Sequence, residues 1–207
     1  SKNSWRTIIA ACQNKQVPDT WNVGDSCMMA FGKKNYQIDI IGKNHDDYAD
    51  GSGKAPLTFQ MHTTYATQYK MNGAEYNNCG WKNCLVRTSN AFPALKKVMP
   101  AEVVAALKAV TKKTTAGGAS SAIDTTEDTL FLLSEIEVQG TRTFSYAGEG
   151  TQYAYYKTTS NRKKNRAWYL RSPRLSETSC FCRTGWSGEA DWSVASEVDG
   201  IAAAWCF

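Results

Sequence analysis

Residues 168–207 read WYLRSPRLSETSCFCRTGWSGEADWSVASEVDGIAAAWCF, and two apolar runs bracket that stretch. Trp168-Tyr169-Leu170 is aromatic and strand-like, closed by Arg171-Ser172-Pro173. Gly200-Ile201-Ala202, continuing into Ala203-Ala204-Trp205-Cys206-Phe207, is apolar enough for a buried terminal strand. Cys180 to Thr184 reads as a further short strand. The rest of Arg174 to Asp199 mixes Ser, Thr, Glu, Asp, Arg and Trp without a helix or strand period, with Phe181, Gly188, Ala190 and Ala195 spaced through it. Rigid aromatics among short polar side chains are the composition of a binding surface. Loops held by a stable frame are where recognition tends to reside. A solvated connection between two strands has the same composition, so composition alone leaves both readings open.

Working outward, Ser4 is placed to cap a helix whose apolar residues Trp5, Ile8, Ile9 and Cys12 fall on one face, with Pro18 beyond its end. Ser26–Phe31 and Tyr36–Ile41 read as paired strands around a turn at Gly32-Lys33-Lys34-Asn35, and Thr58–His62 as a third strand. Pro93 marks the first turn of one helix. Pro100 opens a second, with Val103, Val104, Leu107 and Val110 on one stripe and Lys112 and Lys113 in its last turn. Thr114–Ser121 reads as a flexible loop and Thr129–Val138 as an apolar strand. Helices and strands without a parallel βα repeat define an α+β domain, one unit over residues 1–207.

The totals narrow the function classes. A net charge of +5 on 207 residues is too small and scattered for a nucleic-acid footprint. No apolar run approaches the roughly 18 residues of a membrane span, so no membrane insertion is expected. The sequence opens without an initiator Met or a basic-then-apolar leader, as expected of a trimmed or processed chain, and export stays open. Seven cysteines at irregular spacings fit neither an even disulfide framework nor a tetrahedral zinc pattern. They are expected to be mostly free, buried thiols.

Other clusters carry candidate chemistry. His45, Asp46, Asp47 and Asp50 offer ligands for calcium, but without the ordered acidic spacing of a dedicated site, so they are read as structural hydrogen-bonding groups. Arg162-Lys163-Lys164-Asn165-Arg166 is read as a solvated charged face, and Gly80-Trp81 with Arg87 as framework. Cys180 and Cys182 fall on one strand face, a poor geometry for a disulfide, and the only histidines, His45 and His62, are remote in sequence.

Taken in order, Trp168-Tyr169-Leu170-Arg171-Ser172-Pro173, Phe181-Cys182, Gly188, Ala190 and Gly200-Ile201-Ala202…Trp205-Cys206-Phe207 resemble the carboxy-terminal region of proteins diversified by retroelements. Trp5, Val23-Gly24-Asp25, His45-Asp46-Asp47, Thr58-Phe59-Gln60, Met71-Asn72, Gly80-Trp81 with Arg87, Thr126-Glu127-Asp128, Leu132-Leu133-Ser134-Glu135 and Glu149-Gly150 extend the likeness along the whole chain. That bacterial and phage family has a C-type lectin-type fold, related to formylglycine-generating enzymes.

The resemblance implies a C-type lectin-like fold: a small twisted antiparallel sheet, flanking helices and long loops, with 168–207 as the variable, ligand-binding region. It implies a non-enzymatic receptor-binding protein without cofactor or metal, on a phage virion or bacterial cell surface, whose partner is a protein or glycan ligand. The contacts would come from Glu177, Thr178, Ser179, Cys180, Arg183, Trp186, Ser187, Glu189, Asp191, Trp192, Ser193, Glu197, Val198 and Asp199. Adenine-directed change of asparagine codons cannot produce the Trp and Glu among them, a departure from the family's pattern. The rival readings are an oxidase using Cys180 and Cys182 as a cysteine pair, and a structural phage decoration protein.

Overall fold

A computed structural model describes residues 3–207. Helix α1 (Trp5–Gln13) starts where Ser4 Oγ accepts the Thr7 amide, and its buried face is Trp5, Ile8, Ile9 and Cys12. Strands β1 (Ser26–Phe31) and β2 (Lys34–Lys43) pair antiparallel as far as Phe31 opposite Lys34, so the turn between them is two residues shorter than expected. Strand β3 (Leu57–Met61) pairs with β2, and the last strand, β9 (Ala204–Cys206), pairs with β3. The resulting order is β1-β2-β3-β9.

The flank of β9 away from β3 is closed by bridges from Phe131 to Ala204 and from Lys108 to Cys206. The terminal strand is therefore interior, and Ile201 through Phe207 are all buried. Fully burying one Phe-sized side chain stabilises a fold by about 1.5–3 kcal/mol, so this run contributes heavily to holding the domain together.

The middle of the chain corrects three expectations. After the short helices α2 (Gly80–Asn83) and α3 (Leu85–Thr88) come α4 (Ala91–Val98) and α5 (Ala101–Ala106), but α5 stops well before Lys113. Val110–Gly117 is strand β4, paired with β5 (Ser120–Asp128). Val110 fits both periods, closing a helical stripe with Val103 and Leu107 and opening an alternation with Lys112 and Thr114; Val110, Lys112 and Thr114 are buried. Tertiary partners decide for the strand: the Thr111 amide bonds Asp47 O, and the Lys112 side chain enters the interior.

The expected flexible loop at Thr114–Ser121 is the end of this hairpin, docked through Gly118 N on Asn77 Oδ1. Thr129–Val138 is not one strand. Leu130–Leu133 is buried extended chain, and Ser134 begins helix α6 (Glu135–Gln139) through a capping box with Glu137.

Two 3₁₀ turns (Ala154–Lys157 and Thr159–Arg162) lead to β6 (Trp168–Pro173), β7 (Cys180–Thr184) and β8 (Ala190–Val194), a meander ordered β6-β7-β8. Instead of one small sheet, the α+β domain has antiparallel sheets of four, two and three strands. Gly200 joins the last to the first. A Cβ there would sit 2.6 Å from both Ala167 O and Thr64 Cγ2, so only glycine permits this approach. No helix of the described residues is long and apolar enough to cross a membrane.

Candidate functional site: a displayed C-terminal hairpin

β7 and β8 turn the segment read as aperiodic into a hairpin with a fixed tip. Gly188 has φ +95°, and a Cβ there would meet Arg162 Cβ and Lys163 N at 3.2 Å. Its carbonyl accepts Gln139 Nε2 at 3.2 Å, and Gln139 Oε1 accepts from Arg162 at 2.9 Å. Glu189 Oε2 closes the tip from within, accepting the Ser187 amide at 3.0 Å and its hydroxyl at 2.8 Å. Hydrogen bonds from its own backbone and from Ser187 hold the Glu189 carboxyl below the usual range. On this locked turn Trp186 is 66% exposed.

Trp192, 37% exposed on β8, lies under the Arg174 guanidinium, whose carbon is 4.2 Å from the ring centroid. Such a contact is worth about 0.5–1 kcal/mol at an exposed site and fixes the ring's attitude. Arg183 donates to Asp191 at 2.7 Å and Asp199 at 2.8 Å, tying β7, β8 and the following loop together. Glu177 accepts the amides of Thr178 and Ser179, and these bonds with the Ser179 hydroxyl lower its carboxyl pKa.

Eleven of the fourteen expected contacts are wholly or partly exposed: Glu177, Thr178, Ser179, Arg183, Trp186, Ser187, Glu189, Asp191, Trp192, Glu197 and Val198. Cys180, Ser193 and Asp199 are not, at 2%, 7% and 5%. Cys180 is interior, its carbonyl accepting Asn77 Nδ2; Ser193 pairs with buried Phe181; Asp199 is committed to Arg183 and, through its backbone, to Tyr69. Of the residues that carry the resemblance within this segment, Phe181, Cys182 and Gly188 are buried, whereas Ala190 is partly exposed.

Beneath the hairpin lies an ion network. Arg171 donates to Glu137, Thr114 Oγ1, Leu132 O, Lys113 O and Glu149 O, joining β6 to β4, α6 and the intervening loops. Lys112 Nζ lies 2.9 Å from Glu137 and 2.6 Å from Asp46, which also accepts from Thr58 and Tyr153. Burial raises the Asp46 carboxyl pKa, but Lys112 outweighs it and holds the group at about 2. Ligand atoms of His45, Asp46 and Glu137 fall within 4.8 Å of one another, a spacing a metal ion would accept. The Lys112 ammonium already supplies positive charge at the two carboxylates of that group. Asp47 and Asp50 instead make surface pairs with Lys54 and Lys108.

A second constellation escaped sequence reasoning. Asp39, buried on β2, accepts from Gln37 Nε2 (2.8 Å) and Tyr155 OH (2.8 Å) and faces His62 Nδ1 at 2.6 Å. His62 is 46% exposed. Lys164, expected on a solvated face, is buried and donates to Met61 O and His62 O. Burial lowers its pKa to about 7, with Asp39 partly opposing the shift. No spacing in the sequence links residues 39, 62, 155 and 164. Trp81 and Arg87 converge on Asp128, as framework residues do.

The fold and surface together describe an α+β domain that presents an aromatic hairpin on an ion-paired frame. A family model described as a domain of unknown function, DUF6273, matches residues 57–206, and the chain belongs to that family. No curated protein and no solved structure matches the chain.

Proposed function

We propose that the chain is a ligand-recognition protein of C-type lectin-like fold, binding a protein or glycan ligand through the β7–β8 hairpin and its flanking loops, on a phage virion or a bacterial surface. The observation that carries this reading is Trp186: a large aromatic left 66% exposed on a tip held by Gln139, Arg162 and Glu189. Exposing an indole forgoes burial free energy, and immobilising it beforehand lowers the ordering cost of binding. Trp and Arg are also the residues that most often dominate interface energetics. Trp192 under Arg174 repeats the arrangement on β8.

An oxidase of the formylglycine-generating kind is less well supported, because it needs two accessible thiols and Cys180 and Cys182 are buried. The test is a glycan and surface-protein binding screen on the full chain and on Trp186→Ala/Trp192→Ala. The double variant is expected to keep its melting temperature within a few degrees and to lose ligand capture. Unchanged capture would refute the reading, and so would a large loss of stability, which would place both rings in the core.

A further inference from the structure

The hairpin has an open edge. The amides of Gly185 and Ala195 bond Glu189 O and Ser179 O. With the β7–β8 register, these bonds identify the pairs Phe181–Ser193 and Arg183–Asp191 as the ones that exchange hydrogen bonds. The backbone groups of Ala190, Trp192 and Val194 therefore face away from β7. β8 is the last strand of its sheet. Among the described residues only Val194 O finds a partner on that side, accepting from Tyr169 OH and the Glu197 amide. The N–H groups of residues 190, 192 and 194 and the C=O groups of 190 and 192 meet no donor or acceptor among the described residues.

We infer that this edge binds an extended segment of a partner polypeptide by strand addition, the ligand of the proposed surface thus being protein rather than glycan. The inference rests on the recognition reading above. An unpaired edge is a template for a further strand, and in strand addition main-chain bonds supply affinity while side chains of the host strand supply specificity. Trp192 is the host side chain here, and Glu189 and Glu197 stand just beyond the two ends of the edge. Among the described residues Glu197 has no ion-pair partner and the Glu189 carboxylate bonds only within its own turn, so the complementary segment carries Lys or Arg. A second copy is the poorer occupant, because antiparallel pairing of β8 with its own copy would bring Glu189 of one copy close to Glu197 of the other at both ends of the seam.

The probe is a linear dodecapeptide enriched from a random phage-displayed library on the full chain and then synthesised. It is expected to weaken more than tenfold when alternate amides of one register are N-methylated and to be unaffected when the other register is. Ala190→Pro is expected to weaken it to the same extent while keeping a native melting temperature, since the lost N–H bonds no strand of the fold and proline is tolerated at a strand's first residue. If that variant fails to fold, the N-methyl series decides alone. The inference is overturned if no peptide enriches, if both N-methyl registers bind equally, if folded Ala190→Pro binds normally, or if the edge is filled by a dimer of the chain. A glycan captured by the wild type and lost by the double Trp variant would sink strand addition and leave the recognition reading standing.

Discussion

Replacing Lys164 with Met should invert the order of stabilities across neutral pH. Lys164 is buried, donates to two carbonyls, and has its pKa lowered from 10.5 to about 7. Between those values the unfolded chain holds the proton and the folded chain does not, so protonation favours unfolding. Below about pH 7 both states carry the charge and its full desolvation cost is present. As pH rises towards 10.5 that cost is relieved, by at most about 5 kcal/mol at 1.36 kcal/mol per unit. Met at 164 carries no such cost but forfeits two hydrogen bonds, at about 1 kcal/mol each. The variant should therefore be the more stable near pH 6 and the less stable near pH 9.5. Urea unfolding followed by tryptophan fluorescence at four pH values measures this, and comparing the two chains cancels every other titrating group. A difference in stability that stays constant from pH 6 to 9.5 would refute the placement of Lys164 in the interior.

Glu137→Gln leaves Lys112 and Arg171 short of a counter-charge and should cost about 3–5 kcal/mol in urea unfolding. Asp46, held at about 2, contributes stability that is present above the ordinary carboxyl range and lost as pH falls through 2; Asp46→Asn should flatten the acid limb of the stability curve. Burial raises the thiol pKa of Cys12 to about 12 and of Cys79 to about 11, and pushes Cys84, Cys182 and Cys206 up as well. Native labelling at pH 8 should therefore be fast at partly exposed Cys27, slow at Cys79, and absent at buried Cys180 and Cys182 until denaturant is added. Rapid labelling of that last pair would revive the oxidase reading. Gly188→Ala should cost about 1 kcal/mol or more through its positive φ and its contact with Arg162, and should lower the fluorescence anisotropy of the Trp186 turn.

Much of the frame was legible because its signals are local. Ser4 and the stripe Trp5, Ile8, Ile9, Cys12 specify α1, and the alternation from Tyr36 to Ile40 specifies β2. Two elements carried signals that went unread. Ser134 with Glu137 is a capping box, and Ala190-Asp191-Trp192-Ser193-Val194 alternates with the period of a strand. Val110 is a different case: its side chain fits a helix and a strand equally, and only the partners waiting for Lys112 separate them.

The binding segment divides along the same line. By itself the sequence determined that residues 174–199 lie between two apolar anchors and that they hold Trp, Arg and carboxylates suited to contact. The tertiary structure alone decided which of them are displayed. It withdrew Cys180, Ser193 and Asp199, left Trp186 and Trp192 outward, and made the neighbouring Arg171 a buried hub and Lys164 an interior amine. The physical reason is that exposure and charge pairing are set by what packs against a residue from elsewhere in the chain. Glu137 for Arg171, Arg183 for Asp199 and Gln139 for Gly188 are all remote in sequence, and no local pattern encodes them.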